Sequence, residues 1–98
     1  LAVHTYWSAY YPMERALSVL DDTIGRFEGK PIWITEASNN KNGTSPADKA
    51  HEYLAFWKEL QRRPTVEGVT YFVASSINPV FQHEVFLGKG MSRIIGAR

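Results

Sequence analysis

Glu36 stands where a carboxylate can be put to work. It closes Pro31-Ile32-Trp33-Ile34-Thr35-Glu36, a short apolar run that reads as a buried strand. The polar segment Ala37-Ser38-Asn39-Asn40-Lys41-Asn42-Gly43 follows directly and reads as a loop. A buried strand that passes into a wet loop leaves its last acid at a rim, half shielded from water. There a carboxylate can be oriented and tuned for nucleophilic or acid–base chemistry. His4 and Tyr6 form a second group, two residues apart on another strand-like segment, residues 1–6. Side chains alternate along a strand, so His4 and Tyr6 share a face. By the same alternation Ile32, Ile34 and Glu36 share a face, the Glu crowning an apolar column, and Trp33 points away to pack against a helix. If the two strands are neighbours, Tyr6 reaches towards Glu36. A tyrosine hydroxyl donating to a carboxylate orients it and supports its charged form, which suits a nucleophile better than a general acid.

The same residues carry plainer readings. A Glu after a strand also serves as a solvated loop acid or the partner of a helix cap. A single strand histidine is often a satisfied, partly buried one. Asn39, Asn40 and Asn42 suit turn formation. Taken singly, the aromatic residues read as core and helix packing. Tyr6-Trp7 and Tyr10-Tyr11, however, gather near one strand end, where rings can also wall a binding site.

The elements that must position these groups alternate. After the first strand, Pro12 suits the first turn of a helix, and Met13, Leu17, Leu20, Ile24 and Phe27 follow at three- and four-residue spacing as one apolar stripe. Gly29 ends that helix. The second strand spans 31–36. Ser45-Pro46-Ala47-Asp48 is a helix start, with Ser45 as cap, Pro46 at the first position and Asp48 at the positive end. Ala50, Tyr53, Leu54, Trp57 and Leu60 make the stripe of the second helix, and Pro64 stops it. A third strand is expected at 69–74. Beyond it, Asn78-Pro79 suggests a turn, and residues 92–95 form a short element of undecided type. Strand, helix, strand, helix, strand at these spacings predicts an α/β fold with parallel strands. Such a sheet needs both faces covered, as a barrel or a doubly wound sheet provides.

Composition narrows the function. The chain has 98 residues and a formal net charge of +1, enough for one domain across 1–98 with a modest core. Its basic residues are scattered, which argues against a nucleic-acid partner. Without cysteine there is neither thiolate chemistry nor cysteine-ligated zinc. His4, His51 and His83 lack ligand spacing, and His51-Glu52 has no second histidine four residues on, so no metal is expected. Gly88-Lys89-Gly90 lacks the context of a phosphate loop, so no cofactor is expected either. No apolar run reaches membrane-spanning length, and no membrane partner is expected. The first residue is Leu1, already within a strand, which reads as a start inside a larger domain.

Three segments carry a family resemblance. His4-Thr5-Tyr6-Trp7, Lys30-Pro31-Ile32-Trp33-Ile34-Thr35-Glu36 and Glu67-Gly68-Val69-Thr70-Tyr71-Phe72 resemble the last three strands, six to eight, of retaining (β/α)₈ glycoside hydrolases. The clan meant is the large one of cellulase-, xylosidase- and β-galactosidase-like enzymes. It implies a partial (β/α)₈ (TIM) barrel of about three βα units, out of the roughly 250 residues of a whole one. The resemblance makes Glu36 the nucleophile, with Tyr6 steadying it. His4, Trp7, Asn39 and Phe72 are candidate substrate contacts, and Phe72 or Tyr71 stands where many members carry a sugar-stacking Trp. It implies an oligo- or polysaccharide substrate, a setting more extracellular or periplasmic than otherwise, and a double displacement. In that mechanism a second carboxylate lies about 5–5.5 Å from the nucleophile. The clan's acid/base Glu has no counterpart in this chain, and Glu84 is the only other acid in a suggestive place. The expectation is therefore the C-terminal portion of a barrel, inactive alone, which awaits an N-terminal portion or self-associates through its exposed strand edges. Two rival readings are a non-catalytic carbohydrate-binding or interaction module derived from the barrel, and part of a doubly wound α/β enzyme. The missing Gly-x-Ser-x-Gly and Gly-x-Gly-x-x-Gly motifs count against the last.

Overall fold

The computed structural model describes residues 1–8, 10–41 and 43–72. The expected turn at Asn78-Pro79, the element at 92–95, residues 73–74 of the expected third strand, and Glu84 lie outside the described residues. The elements run β1 (Ala2–Trp7), α1 (Met13–Arg26), β2 (Ile32–Asn39), α2 (Pro46–Leu60) and β3 (Val66–Tyr71). The strands form one parallel sheet in the order β1-β2-β3. The α/β class and the parallel pairing follow the sequence pattern.

Local chemistry accounts for the helix boundaries. The Pro12 carbonyl accepts the first amides of α1, and the chain turns back through Gly29 at φ +82°. Ser45 caps α2 by accepting the Asp48 amide at 3.1 Å, with Pro46 first in the helix. Ala16, Leu17 and Leu20 of α1 join Ala50, Tyr53, Phe56 and Leu60 of α2 over Trp7, Ile32, Ile34 and Ala37 in one core. Both helices thus cover the same face of the sheet. On the other face His4, Trp33, Thr35 and Thr70 are exposed.

Three expectations need correction. The stripe of α2 is turned: Phe56 is fully buried, whereas Leu54 is half-buried and Trp57 lies at the surface. Both sets obey helical spacing, but Phe56 packs at a tilt against Trp7 with ring centroids 4.9 Å apart, and Tyr53 stacks on Tyr71 at 4.0 Å. That aromatic cluster decides the rotation. Next, the segment after Glu36 is not yet a loop. Ala37, Ser38 and Asn39 are buried in β2, with Ser38 hydrogen-bonded to the Tyr53 hydroxyl at 3.0 Å. Finally, Trp33 does not pack on a helix. It is 51% exposed on the open face, its ring lying over Gly68.

Candidate functional site

Trp33 reaches the open face by plain alternation between the buried Ile32 and Ile34, whereas Glu36 reaches it through an irregularity of β2. Val3 pairs with Ile34, and the next residue of β1, His4, pairs with Glu36, so Thr35 is an extra residue in β2. The β2–β3 ladder slips at the same place, Ile34 facing Val69 and Ala37 facing Tyr71. This is a β-bulge, and it resets the alternation. Ile32 and Ile34 before it, and Ala37 and Asn39 after it, take the helix-covered face. Glu36 therefore does not crown the isoleucine column as simple alternation predicts. It turns to the open face, the side of His4, Tyr6 and Trp33.

There the side chains converge at the carboxyl ends of the strands. The Tyr6 hydroxyl donates to Glu36 Oε2. His4 Nδ1 lies 3.4 Å from the same oxygen, within ion-pair distance when the imidazole is protonated. The Glu36 side chain is 35% exposed and that of His4 57%, so both meet solvent. Phe72 completes the group: its amide donates to the Ala37 carbonyl, and its ring meets Tyr6 edge-on at 6.3 Å. On its other side Tyr6 meets the His4 ring edge-on at 6.4 Å. Tyr6 is thus braced between two rings while its hydroxyl holds the carboxylate. Among the described residues both polar contacts of this carboxylate fall on Oε2.

Trp7 and Asn39, expected as substrate contacts, stand elsewhere. Trp7 is 2% exposed against Tyr53 and Phe56, and its indole N–H donates to Glu52 at 3.0 Å. Asn39 is 6% exposed, and its amide nitrogen donates to both Glu52 oxygens, at 3.0 and 2.9 Å, and to Thr44 at 3.3 Å. Alternation along β1 sets Trp7 with Thr5 on the helix side, and the bulge of β2 accounts for Asn39. It places Asn39 on the helix side beside Trp7, away from Glu36. Sequence reading missed Glu52 as their partner. Its signal was spacing: Glu52 lies three residues after Lys49 and four before Phe56, both buried, so it flanks the buried stripe of α2.

Among the described residues no group of three or more His, Cys, Asp or Glu is arranged to hold a metal, and no helix is long and apolar enough to cross a membrane. The arrangement presents a steadied carboxylate with aromatic neighbours on an open sheet face.

Residues 1–96 match the model of a protein family described as glycosyl hydrolase catalytic core. Among solved structures, the chain is similar to a GH128 (subgroup II) endo-β-1,3-glucanase from Sorangium cellulosum, with a TM-score of 0.64 at 20% identity. That likeness, one of fold at such identity, covers 90% of this chain and 34% of the glucanase, so this chain spans about a third of its length. Among curated proteins no match is found.

Proposed function

The chain belongs to the glycosyl hydrolase catalytic core family, and from that premise we propose that it is the nucleophile-bearing portion of a retaining (β/α)₈ glycosidase. In this reading β1, β2 and β3 are strands six, seven and eight of the barrel, and the open sheet face is the barrel's inner wall. The observation that carries the proposal is the convergence of Tyr6 and His4 on Glu36 Oε2 at the carboxyl ends of parallel strands, where barrel enzymes place their chemistry.

The chemistry follows from that geometry. Tyr6 and His4 hold Oε2, and Oε1 attacks the anomeric carbon as the bond to the leaving oxygen breaks. A second carboxyl group, contributed by the rest of the barrel, protonates that oxygen. The same group then takes a proton from water as the water displaces Glu36 and restores the free carboxylate. His4 and Phe72 border Glu36 and supply a polar and a stacking contact to the sugar. The substrate is a polysaccharide. β-1,3-Glucan, on which the similar Sorangium cellulosum enzyme acts, is the first one to assay.

The test is turnover by the full-length protein with Glu36 intact and as Glu36→Ala. We expect loss of at least about 10⁴-fold in kcat, because removing a nucleophile removes a whole step of the mechanism. Retained hydrolysis in Glu36→Ala would exclude it as the nucleophile.

A further inference from the structure

We propose that Glu52 is a positioning residue for the Glu36 site, its carboxylate clamping the carboxyl ends of β1 and β2 and so fixing where Tyr6 and Glu36 meet. The inference rests on the reading of Glu36 as the reacting group.

The clamp spans both strands from one point on α2. Trp7, the last residue of β1, donates its indole N–H to Glu52 Oε1 at 3.0 Å. Asn39, the last residue of β2, donates its amide to Oε1 and Oε2 at 3.0 and 2.9 Å. The backbones are joined at the same level, the Asn40 amide donating to the Trp7 carbonyl at 3.0 Å. Tyr6 immediately precedes Trp7, and Glu36 lies three residues before Asn39, about 10 Å along an extended strand. A shift of either strand end therefore moves the Tyr6 hydroxyl against the Glu36 carboxylate.

The donor–acceptor pattern calls for a carboxylate. An indole nitrogen can only donate, and the Asn39 amide group is locked in its orientation because its oxygen accepts the Lys41 backbone amide at 2.9 Å. Both partners thus present N–H to position 52. A glutamine there has nearly the same shape, but it offers one acceptor oxygen and sets its NH₂ against a donor. Asn39 cannot turn over to accommodate it without releasing Lys41.

The same logic gives a rescue. In the Asn39→Asp/Glu52→Gln double variant, the residue at 52 accepts from Trp7 through Oε1 and donates to the carboxylate at 39, whose second oxygen still accepts the Lys41 amide. Asn39→Asp alone sets two carboxylates face to face.

The experiment is steady-state kinetics of the full-length protein on β-1,3-glucan, with the Trp7 indole N–H followed by ¹⁵N NMR. Glu52→Gln should lower kcat about ten- to a hundredfold, as misplacement of about 1 Å does. KM should stay within about twofold, because the groups that touch sugar are retained. The indole resonance should shift, and the double variant should recover most of the lost kcat. A wild-type kcat in Glu52→Gln would overturn the proposal. So would a loss that matches the loss of folded protein and that the double variant does not recover. Glu36→Ala separates the two readings: activity surviving in it removes the nucleophile assignment, whereas a dead Glu36→Ala beside a fully active Glu52→Gln removes the clamp alone.

Discussion

Deleting Thr35 should leave the sheet standing and silence the site. Thr35 is the surplus residue of β2 against both neighbours, since Ile34 and Glu36 pair with consecutive Val3 and His4, and only Thr70 separates Val69 from Tyr71. Its removal takes this irregularity out of both ladders and leaves the separate slip at Ile32–Trp33 against β3. Each later residue of β2 keeps its present face: Ile34 towards the helices, Glu36 to the open side, Ala37 back towards the helices. What is lost is small in energy. The Thr70 hydroxyl donates to the Thr35 carbonyl at 2.6 Å, and the Thr35 hydroxyl to the Val3 carbonyl at 3.4 Å, both exposed. One such bond is worth about 1 kcal/mol, and the repaired ladder offsets part of it, so unfolding free energy should change by no more than about 1–2 kcal/mol. The catalytic cost is larger. A bulge bends its strand and re-aims the side chain beside it. Straightening it displaces the Glu36 carboxylate by about 1 Å or more, at about 10² in kcat, or about 2.7 kcal/mol in the barrier. The assay pairs urea unfolding with initial rates on β-1,3-glucan. Near-wild-type turnover in the deletion variant would refute the claim that the bulge aims the carboxylate. An unfolded deletion variant would refute the register on which the claim stands.

Two further outcomes concern the frame. Gly68 faces Trp33, and a Cβ there would fall 2.3 Å from Trp33 Cζ3 and 2.7 Å from Cε3, so Gly68→Ala must push the indole away. We expect about 1–3 kcal/mol of destabilisation in denaturant melts, relieved when Trp33→Ala is added; an unchanged melt would contradict the close packing. Arg63 grips Asp21 of α1 through Nε and Nη2 at 2.6 and 3.0 Å and the Glu59 carbonyl through Nη1 at 2.7 Å, so Arg63→Ala should cost about 1 kcal/mol. The hydrogen bond it donates to Asp21, chiefly, raises the guanidinium pKa above its ordinary value. A raised folded-state pKa contributes stability that is present below the ordinary value and lost only as pH climbs through the raised one. The difference between wild type and Arg63→Ala should therefore hold constant from neutral to mildly alkaline pH. A difference that fades across that window would count against the pair.

The element order was legible because it rests on strong local signals. Ser45-Pro46 with Asp48 can hardly be anything but a helix start, and the stripe Met13, Leu17, Leu20 and Ile24 repeats over three turns of α1. Parallel pairing followed, since strands separated by helices have little alternative. The rotation of α2 was not legible, because Leu54 and Trp57 satisfy helical spacing as well as Phe56 does. Contact with Trp7 and Tyr71, from distant parts of the chain, chose between them. Strand ends were also hard to place. Ala37, Ser38 and Asn39 look like loop by composition, yet Ser38 and Asn39 are buried at a strand end because Tyr53 and Glu52 of α2 satisfy them.

The approach of Tyr6 to Glu36 was legible in the sequence and the face on which they meet was not, and the reason lies in a spacing. Strict alternation from Ile34 carries Glu36 to the opposite side from Trp33, into the helix-covered face, and brings Ala37 and Asn39 out. A carboxylate buried there without a partner costs several kcal/mol, and the helices would lose the contacts of Ala37 as well. Inserting Thr35 as a bulge avoids both costs at the price of one irregular rung. The structure records the choice: 32 and 34 are buried, then 37, 38 and 39, so the even step is broken between Ile34 and Ala37. Read as a defect in the pattern, that step suggests a loop. Read as a choice between burying a carboxylate and bending a strand, it places the bend beside Glu36, on the face where Tyr6 and His4 already point.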